Sequence, residues 1–188
     1  MKRRFLIAAA AALAATTVPL AAQEAWPSRA VKFIVNFPPG GPLDVLARAV
    51  ADVLQRDLKQ PFVVENRAGA GGNIGADALA KAAPDGHTVL LGIDSTFTVN
   101  PHIYKAMPFK PSDLRPLVVM SSSGLLVGTH PSNGFRNLGD LVAAGKAKGV
   151  TFSSAGSGSP GHLAAEMATD ATGMKITHVP YKGNAPAV

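Results

Sequence analysis

Short β-branched runs that stop at glycine- and proline-rich turns, then give way to helical periodicity, constrain this chain more than any other feature. Val31 to Phe37 (VKFIVNF) halts at Pro38-Pro39-Gly40-Gly41-Pro42, and beyond it Val45, Leu46, Ala49, Val50, Val53 and Leu54 recur at three- and four-residue spacing as far as Pro61. The first stretch has the residue types of a strand and the second the period of an amphipathic helix, with Asp44 standing where an N-cap is expected. The pattern repeats with Phe62-Val63-Val64, a glycine-rich turn from Arg67 to Gly72, and an alanine-rich helix from Asn73 to Ala83 closed by Pro84-Asp85-Gly86. Thr88 to Ile93 is a third strand, and its nearly continuous apolar character suits a parallel strand covered on both faces. Strand–helix units in succession predict an α/β fold around a parallel sheet with right-handed crossovers.

After a proline-punctuated passage (Pro101, Pro108, Pro111, Pro116), Leu117–Met120 and Leu125–Gly128 read as two strands joined by Ser121-Ser122-Ser123-Gly124. Small polar residues there allow a hinge, which divides the chain into a first α/β lobe over 23–122 and a second over 123–188. Within the second, Leu138–Lys148 and Gly161–Thr172 are expected helices, and Val150–Ser153 and Lys175–Val179 expected strands. The final residues, Gly183 to Val188, read as a loop and a first helical turn. A helix needs a cap and enough length to bury a face, so the expectation is a partial sequence with its second lobe incomplete.

The 188-residue chain opens on Lys2-Arg3-Arg4 followed by an apolar run of 11 residues, Phe5 to Ala15. That is too short for the ~20 residues of a membrane span but is the form of a signal peptide, closed by small residues with cleavage placed after Ala22. Export follows, without stable membrane insertion. Arg3-Arg4-Phe5-Leu6 lacks the spacer after a twin-arginine pair, which favours the general secretory route. Removing 1–22 lowers the formal charge from +6 to +3, since 15 basic residues then face 12 acidic ones. The remaining cations are scattered and not interleaved with aromatics, so nucleic acid is not expected as a partner. The absence of cysteine excludes disulfides, thiolate metal sites and cysteine nucleophiles. No two of His87, His102, His130, His162 and His178 lie three or four residues apart, and neither a G-x-S-x-G elbow nor a P-loop lysine occurs. No catalytic residue, metal or cofactor is assigned.

Chemistry concentrates in loops between a strand and a helix, where parallel sheets place ligands. In the first, FPPGGPLD, Phe37, Pro39, Gly40 and Gly41 let backbone approach a ligand while the new helix directs free N–H groups and its positive dipole end into the same space. The alternative is a simple turn with Asp44 as a cap; Asp44 could also receive a ligand ammonium. The second, SSAGSGSPGHL, offers Ser154, Ser157 and Ser159 hydroxyls, Gly156 and Gly158 backbone, and His162 in the first helical turn, where a helix N-terminus favours its neutral form. Gly156 to Gly161 also satisfies G-x-G-x-x-G, leaving open a small α/β nucleotide-dependent enzyme. The acid that should hold a ribose about 20 residues later is missing, because that region reads Thr177-His178-Val179-Pro180-Tyr181. ENRAGAGGNIG (Glu65 to Gly75), Ser95-Thr96 and Tyr181-Lys182-Gly183 are further candidates at the same sheet edge, with Arg67 expected to pair locally with Glu65 or Asp85.

Taken together, WPSRAVKFIVNFPPGGPLD, VVENRAGAGGNIGADALAKAAPDGHTVLLG, NPHIYKAMPF, SAGSGSPGHLAAE and THVPYKGNAPA strongly resemble the Bug family of extracytoplasmic solute receptors, the TctC-like binding proteins of tripartite tricarboxylate transporters. The resemblance runs in order from Trp26 to Val188. It implies a two-lobed periplasmic binding protein fold of type II-like architecture that closes on a small carboxylate, such as a di- or tricarboxylate, and delivers it to the transporter's membrane subunits. It implies the periplasm as the destination of export, and no enzymatic activity. Its ligand loops fall on Phe37 to Asp44 and on Ser153 to His162, and Asn36 stands where the family is expected to carry proline, a departure expected to alter little.

Overall fold

A computed structural model describes residues 25–188; the expected signal segment lies outside the described residues. In chain order the elements are β1 (Val31–Val35), α1 (Pro42–Leu58), β2 (Phe62–Asn66), α2 (Asn73–Ala80), β3 (Thr88–Leu91), α3 (Ser95–Thr98), α4 (Asn100–Ile103), α5 (Leu138–Lys148), β4 (Val150–Ser154), α6 (Pro160–Thr172) and β5 (Ile176–Pro180). They build two parallel sheets, one three-stranded in the order β2-β1-β3 and one pairing β4 with β5.

The central strand β1 explains where the core sits. Val31, Phe33 and Val35 are buried with Phe62 of β2, Leu91 of β3, and Ala47 and Ala51 of α1. Two alanines one turn apart let α1 lie close against the sheet, and Phe33 meets Phe62 edge to face with ring centroids 5.3 Å apart. At ~1.5–3 kcal/mol per fully buried large apolar side chain, this cluster is the main stabilising feature of the first lobe.

Helix α1 begins earlier than expected. Gly41 is its N-cap and Pro42 its first residue, so Asp44 sits inside the first turn and is not the cap. Proline accounts for the shift, since its missing N–H costs nothing at a helix start. The remaining helices of the alternating units and the strands fall within a few residues of their expected limits, and α5 coincides with Leu138–Lys148.

Two expected strands do not form. Residues 115–130 have no regular structure, and Leu117, Val118, Val119, Leu125, Leu126 and Val127 are largely exposed, Leu126 at 98%. Their composition supplies β propensity, but a strand needs a ladder partner, and among the described residues the strands pair with one another elsewhere. Conversely, α3 and α4 arise from a passage without helical periodicity. Asp94 starts the first by accepting the Ser95 N–H, and Pro101 occupies the second position of the next, where no intrahelical donor is required. Among the described residues no helix is long and apolar enough to cross a membrane, and no group of three His, Asp or Glu side chains is placed to hold a metal.

Candidate ligand cleft

All five strands direct their carboxyl ends toward one cleft between the sheets. Phe37 follows β1, Gly69 to Gly72 follow β2, Ser95 follows β3, Ala155 to Ser159 follow β4, and Tyr181 and Lys182 follow β5. Its outer part has a volume of about 240 Å³, lined by Phe37, Gly69–Gly72, Tyr104, Ala155–Ser157 and Pro180–Lys182. A narrow inner recess continues past Ser95, Asn100, Gly158 and Ser159. Among the described residues Lys182 is the only charged one lining either part.

Two close contacts bring the lobes together. Gly158, at φ +78, faces Ile103 at a distance that leaves no room for a Cβ, and a Cβ on Gly183 would lie 2.7 Å from Pro38 Cδ. Both glycines therefore let a second-lobe loop approach the first lobe at backbone distance.

The Phe37-to-Asp44 loop is clamped from inside its own lobe. Asp44 is buried, and its carboxylate accepts from the Gly40 N–H at 3.0 Å, Arg48 Nε at 3.1 Å and Asn66 Nδ2 at 2.9 Å. Asn66 Nδ2 also donates to the Phe37 carbonyl at 3.1 Å, so a single amide fixes both ends of the loop. The Arg48 guanidinium, helped by Gly40 and Asn66, holds the Asp44 carboxyl down at about 2 against the burial that opposes it. Asp44 thus orders the loop and has its charge met by Arg48. Asn36 likewise does more than expected. It is fully buried, donating to Thr96 Oγ1 at 3.1 Å and to the Gly72 carbonyl at 3.3 Å, while Thr96 donates onward to the Gly71 carbonyl at 3.0 Å. The β1 end, the glycine turn after β2 and α3 are one hydrogen-bonded unit. Arg67 pairs with Glu65, as expected, and Asp85 pairs with Arg29.

The second loop is held by side chains of the second lobe. Ser159 caps α6 through its hydroxyl and the His162 N–H, at 3.4 Å. The Gly158 N–H donates to His162 Nδ1 at 3.1 Å, and the Ser154 hydroxyl accepts from the Gly156 N–H at 3.2 Å while bonding His178 Nε2 at 2.6 Å.

Of the residues singled out in the sequence, Phe37, Ser95, Gly156, Gly158, Ser159 and Tyr181 line the cleft or its recess. Pro39, Gly40 and Gly41 stand outside the lining, and Thr96, Ser154, His162 and Asp44 support it from behind. Sequence reasoning missed Asn100 and Tyr104. Four residues apart, they lie at one helical repeat, the one signal available. Asn100 Nδ2 donates to the Gly71 carbonyl at 2.9 Å and to Asn73 Oδ1 at 2.8 Å, and burial pushes the Tyr104 hydroxyl up from its ordinary value. The Gly156–Gly161 loop spends its Gly158 and Ser159 N–H groups internally, and Tyr181-Lys182 follows β5 where a dinucleotide site needs an acid.

Comparison with known proteins bears on the family and the fold. A family profile described as TctC, tripartite tricarboxylate transporter family receptor, matches residues 46–188. Protein BugT of Bordetella pertussis is 42% identical over 181 residues, covering 94% of this chain and 55% of BugT, and the chain spans about half the length of the curated relatives it matches. Among solved structures, R. palustris Rpa4515 with adipate superposes with a TM-score of 0.84 at 35% identity, covering 86% of this chain and 55% of that one. MatC (Rpa3494) from Rhodopseudomonas palustris with bound malate gives a TM-score of 0.78 at 28% identity, covering 86% of this chain and 56% of that one. The two-lobed α/β fold, the cleft between its sheets and the profile match over most of the sequence make this chain a member of the TctC family of periplasmic solute receptors, which are binding proteins and not enzymes.

Proposed function

We propose that this chain forms the cleft of a periplasmic receptor that binds a small di- or tricarboxylate between its lobes and presents it to the membrane subunits of a tripartite tricarboxylate transporter. One observation carries the reading: strand ends from both sheets open on a single cleft whose only charged lining residue, among the described residues, is a cation, Lys182. Its outer volume of about 240 Å³ lies below the ~300–1,000 Å³ of sites for drug-sized ligands, which suits a short organic acid and is small for a dinucleotide. Donors are at hand in Ser157, Tyr104 and Tyr181 beside Lys182. Hydrogen bonds to a charged group contribute ~1.5–3 kcal/mol each, so four at the upper end, ~12 kcal/mol less an association cost of at least ~4 kcal/mol, reach the ~8 kcal/mol of micromolar affinity. The adipate and malate held by two structural neighbours support the same ligand class.

The lobes divide at 122/123 in this reading, inside the irregular stretch, and residues 1–22 act as the export signal. Isothermal titration against succinate, malate, adipate, citrate and NAD tests the function. Heat from at least one carboxylate with none from NAD is expected, and tight NAD binding with silent carboxylates would reverse the assignment in favour of a nucleotide enzyme.

A further inference from the structure

The loop Ala155–Ser159 lines the cleft, and besides its internal Ser159 N–H to Gly156 carbonyl bond and the Ser154 hydroxyl, two of its anchors are imidazoles. His162 Nδ1 accepts the Gly158 N–H at 3.1 Å, and His178 Nε2 bonds the Ser154 hydroxyl at 2.6 Å, which in turn accepts the Gly156 N–H at 3.2 Å. The rings stack with centroids 4.0 Å apart and planes inclined by 18°. Facing the pair are Glu166 on α6, its Oε1 3.4 Å from His162 Nε2, and the uncharged Phe152 ring on β4, 6.1 Å from His178.

We propose that His162 is a positioning residue for the cleft loop, acting in the neutral form that carries its proton on Nε2, and that proton uptake by the stacked pair releases the loop and weakens ligand binding. The assignment of binding rests on the carboxylate-receptor reading; the positioning role does not. An N–H donor requires a lone pair at Nδ1, and the Glu166 carboxylate on the other side selects the tautomer with hydrogen on Nε2. A further proton on this ring has only Nδ1 to occupy, where it would meet the Gly158 N–H donor to donor. Gly158 cannot be held by a substitute side chain of its own, because φ is +78 and Ile103 fills the space beside it. The stack couples the rings, since a charge on one opposes a charge on the other. Burial lowers the pKa of His178, the His162 ring acts in the same direction, and Glu166 opposes both.

The first measurement needs no ligand. In amide correlation spectra of the labelled protein between about pH 8 and about pH 5.5, the Gly158 amide should move with an inflection shared by the His162 ring signals. His162→Gln offers an oxygen that accepts the same N–H and does not titrate, so its Gly158 amide should show no such inflection while circular dichroism stays native. An unmoved Gly158 amide, or an inflection that survives in His162→Gln, overturns the proposal. The second measurement titrates malate and adipate at about pH 8 and about pH 6.5. Wild-type affinity should fall at the lower pH by up to about twofold, the limit where an ordinary imidazole is half protonated, and His162→Gln should bind equally at both. His162→Phe, which keeps the stack and loses the acceptor, should bind weakly at both. Equal wild-type affinities at the two pH values would overturn the binding half. If neither probe binds while the Gly158 inflection is present, the positioning role stands and the carboxylate reading falls.

Discussion

Each lobe brings a loop to the cleft, the first through Phe37 and the second through Ala155 to Ser159, but the two loops are held by different means. In the first, an apolar cluster centred on Phe33 and Phe62 fixes β1, and a buried carboxylate with its arginine and asparagine partners fixes the loop that follows. In the part of the second lobe that this chain carries, Ala165 and Met174 are the buried apolar side chains, and the loop hangs on Ser154, His162 and His178. Packing is insensitive to pH, whereas imidazoles are not. The contrast teaches that a carboxylate with its arginine holds the loop on one wall of the cleft and imidazoles hold the loop on the other, so a change of pH addresses the two walls differently.

The largest test of this contrast is at the core. Phe33→Ala should cost ~3–5 kcal/mol in urea unfolding, against ~2 kcal/mol for Met174→Ala, which packs beside Gly145 in the second lobe. Equal losses would break the comparison. Next is Asp44→Asn, which removes the charge that Arg48 meets and should cost ~1–2 kcal/mol, discounted because Arg48 is half exposed. With its carboxyl at about 2 against an ordinary 3.8, Asp44 contributes fully above the ordinary value and loses that contribution as pH falls through about 2. Acid unfolding of the variant should therefore be flatter across this window. The third effect has the opposite origin. Burial lowers the pKa of His178, so the unfolded chain binds more protons and stability declines as pH drops from the ordinary histidine value of 6.5 to the folded one. His178→Phe should remove that slope in thermal melts, and an unchanged slope would locate the titration elsewhere. The smallest effect belongs to Gly183→Ala. Its Cβ would lie 2.7 Å from Cδ of the rigid Pro38 ring, so the two rims must part and affinity for a carboxylate probe should drop a few-fold.

The first sheet was legible because its strands are apolar runs cut by proline and glycine, and parallel strands announce themselves in that way. Residues 117–128 misled for the same reason: they carry β-branched residues but no partner strand, and pairing is invisible to composition. In the cleft, glycine-rich loops after strands were legible by their chemistry. Asp44 was misplaced because Pro42 starts the helix ahead of it, and Asn100 and Tyr104 were missed because only the turn at Gly71 reveals what they face. Asn36 passed as a minor departure since nothing local shows that Thr96 and Gly72 close over it.

The contact between Pro38 and Gly183 has a thermodynamic consequence of its own. Flexible side chains such as lysine or methionine lose up to ~1.5–2 kcal/mol of rotamer freedom when they are pressed into contact, whereas proline and glycine have none to lose. A pyrrolidine ring meeting a bare α-carbon lets the rims of the cleft touch at almost no entropic cost. The balance between apart and together is then left to whatever occupies the gap, water or solute, and the rim itself takes no side.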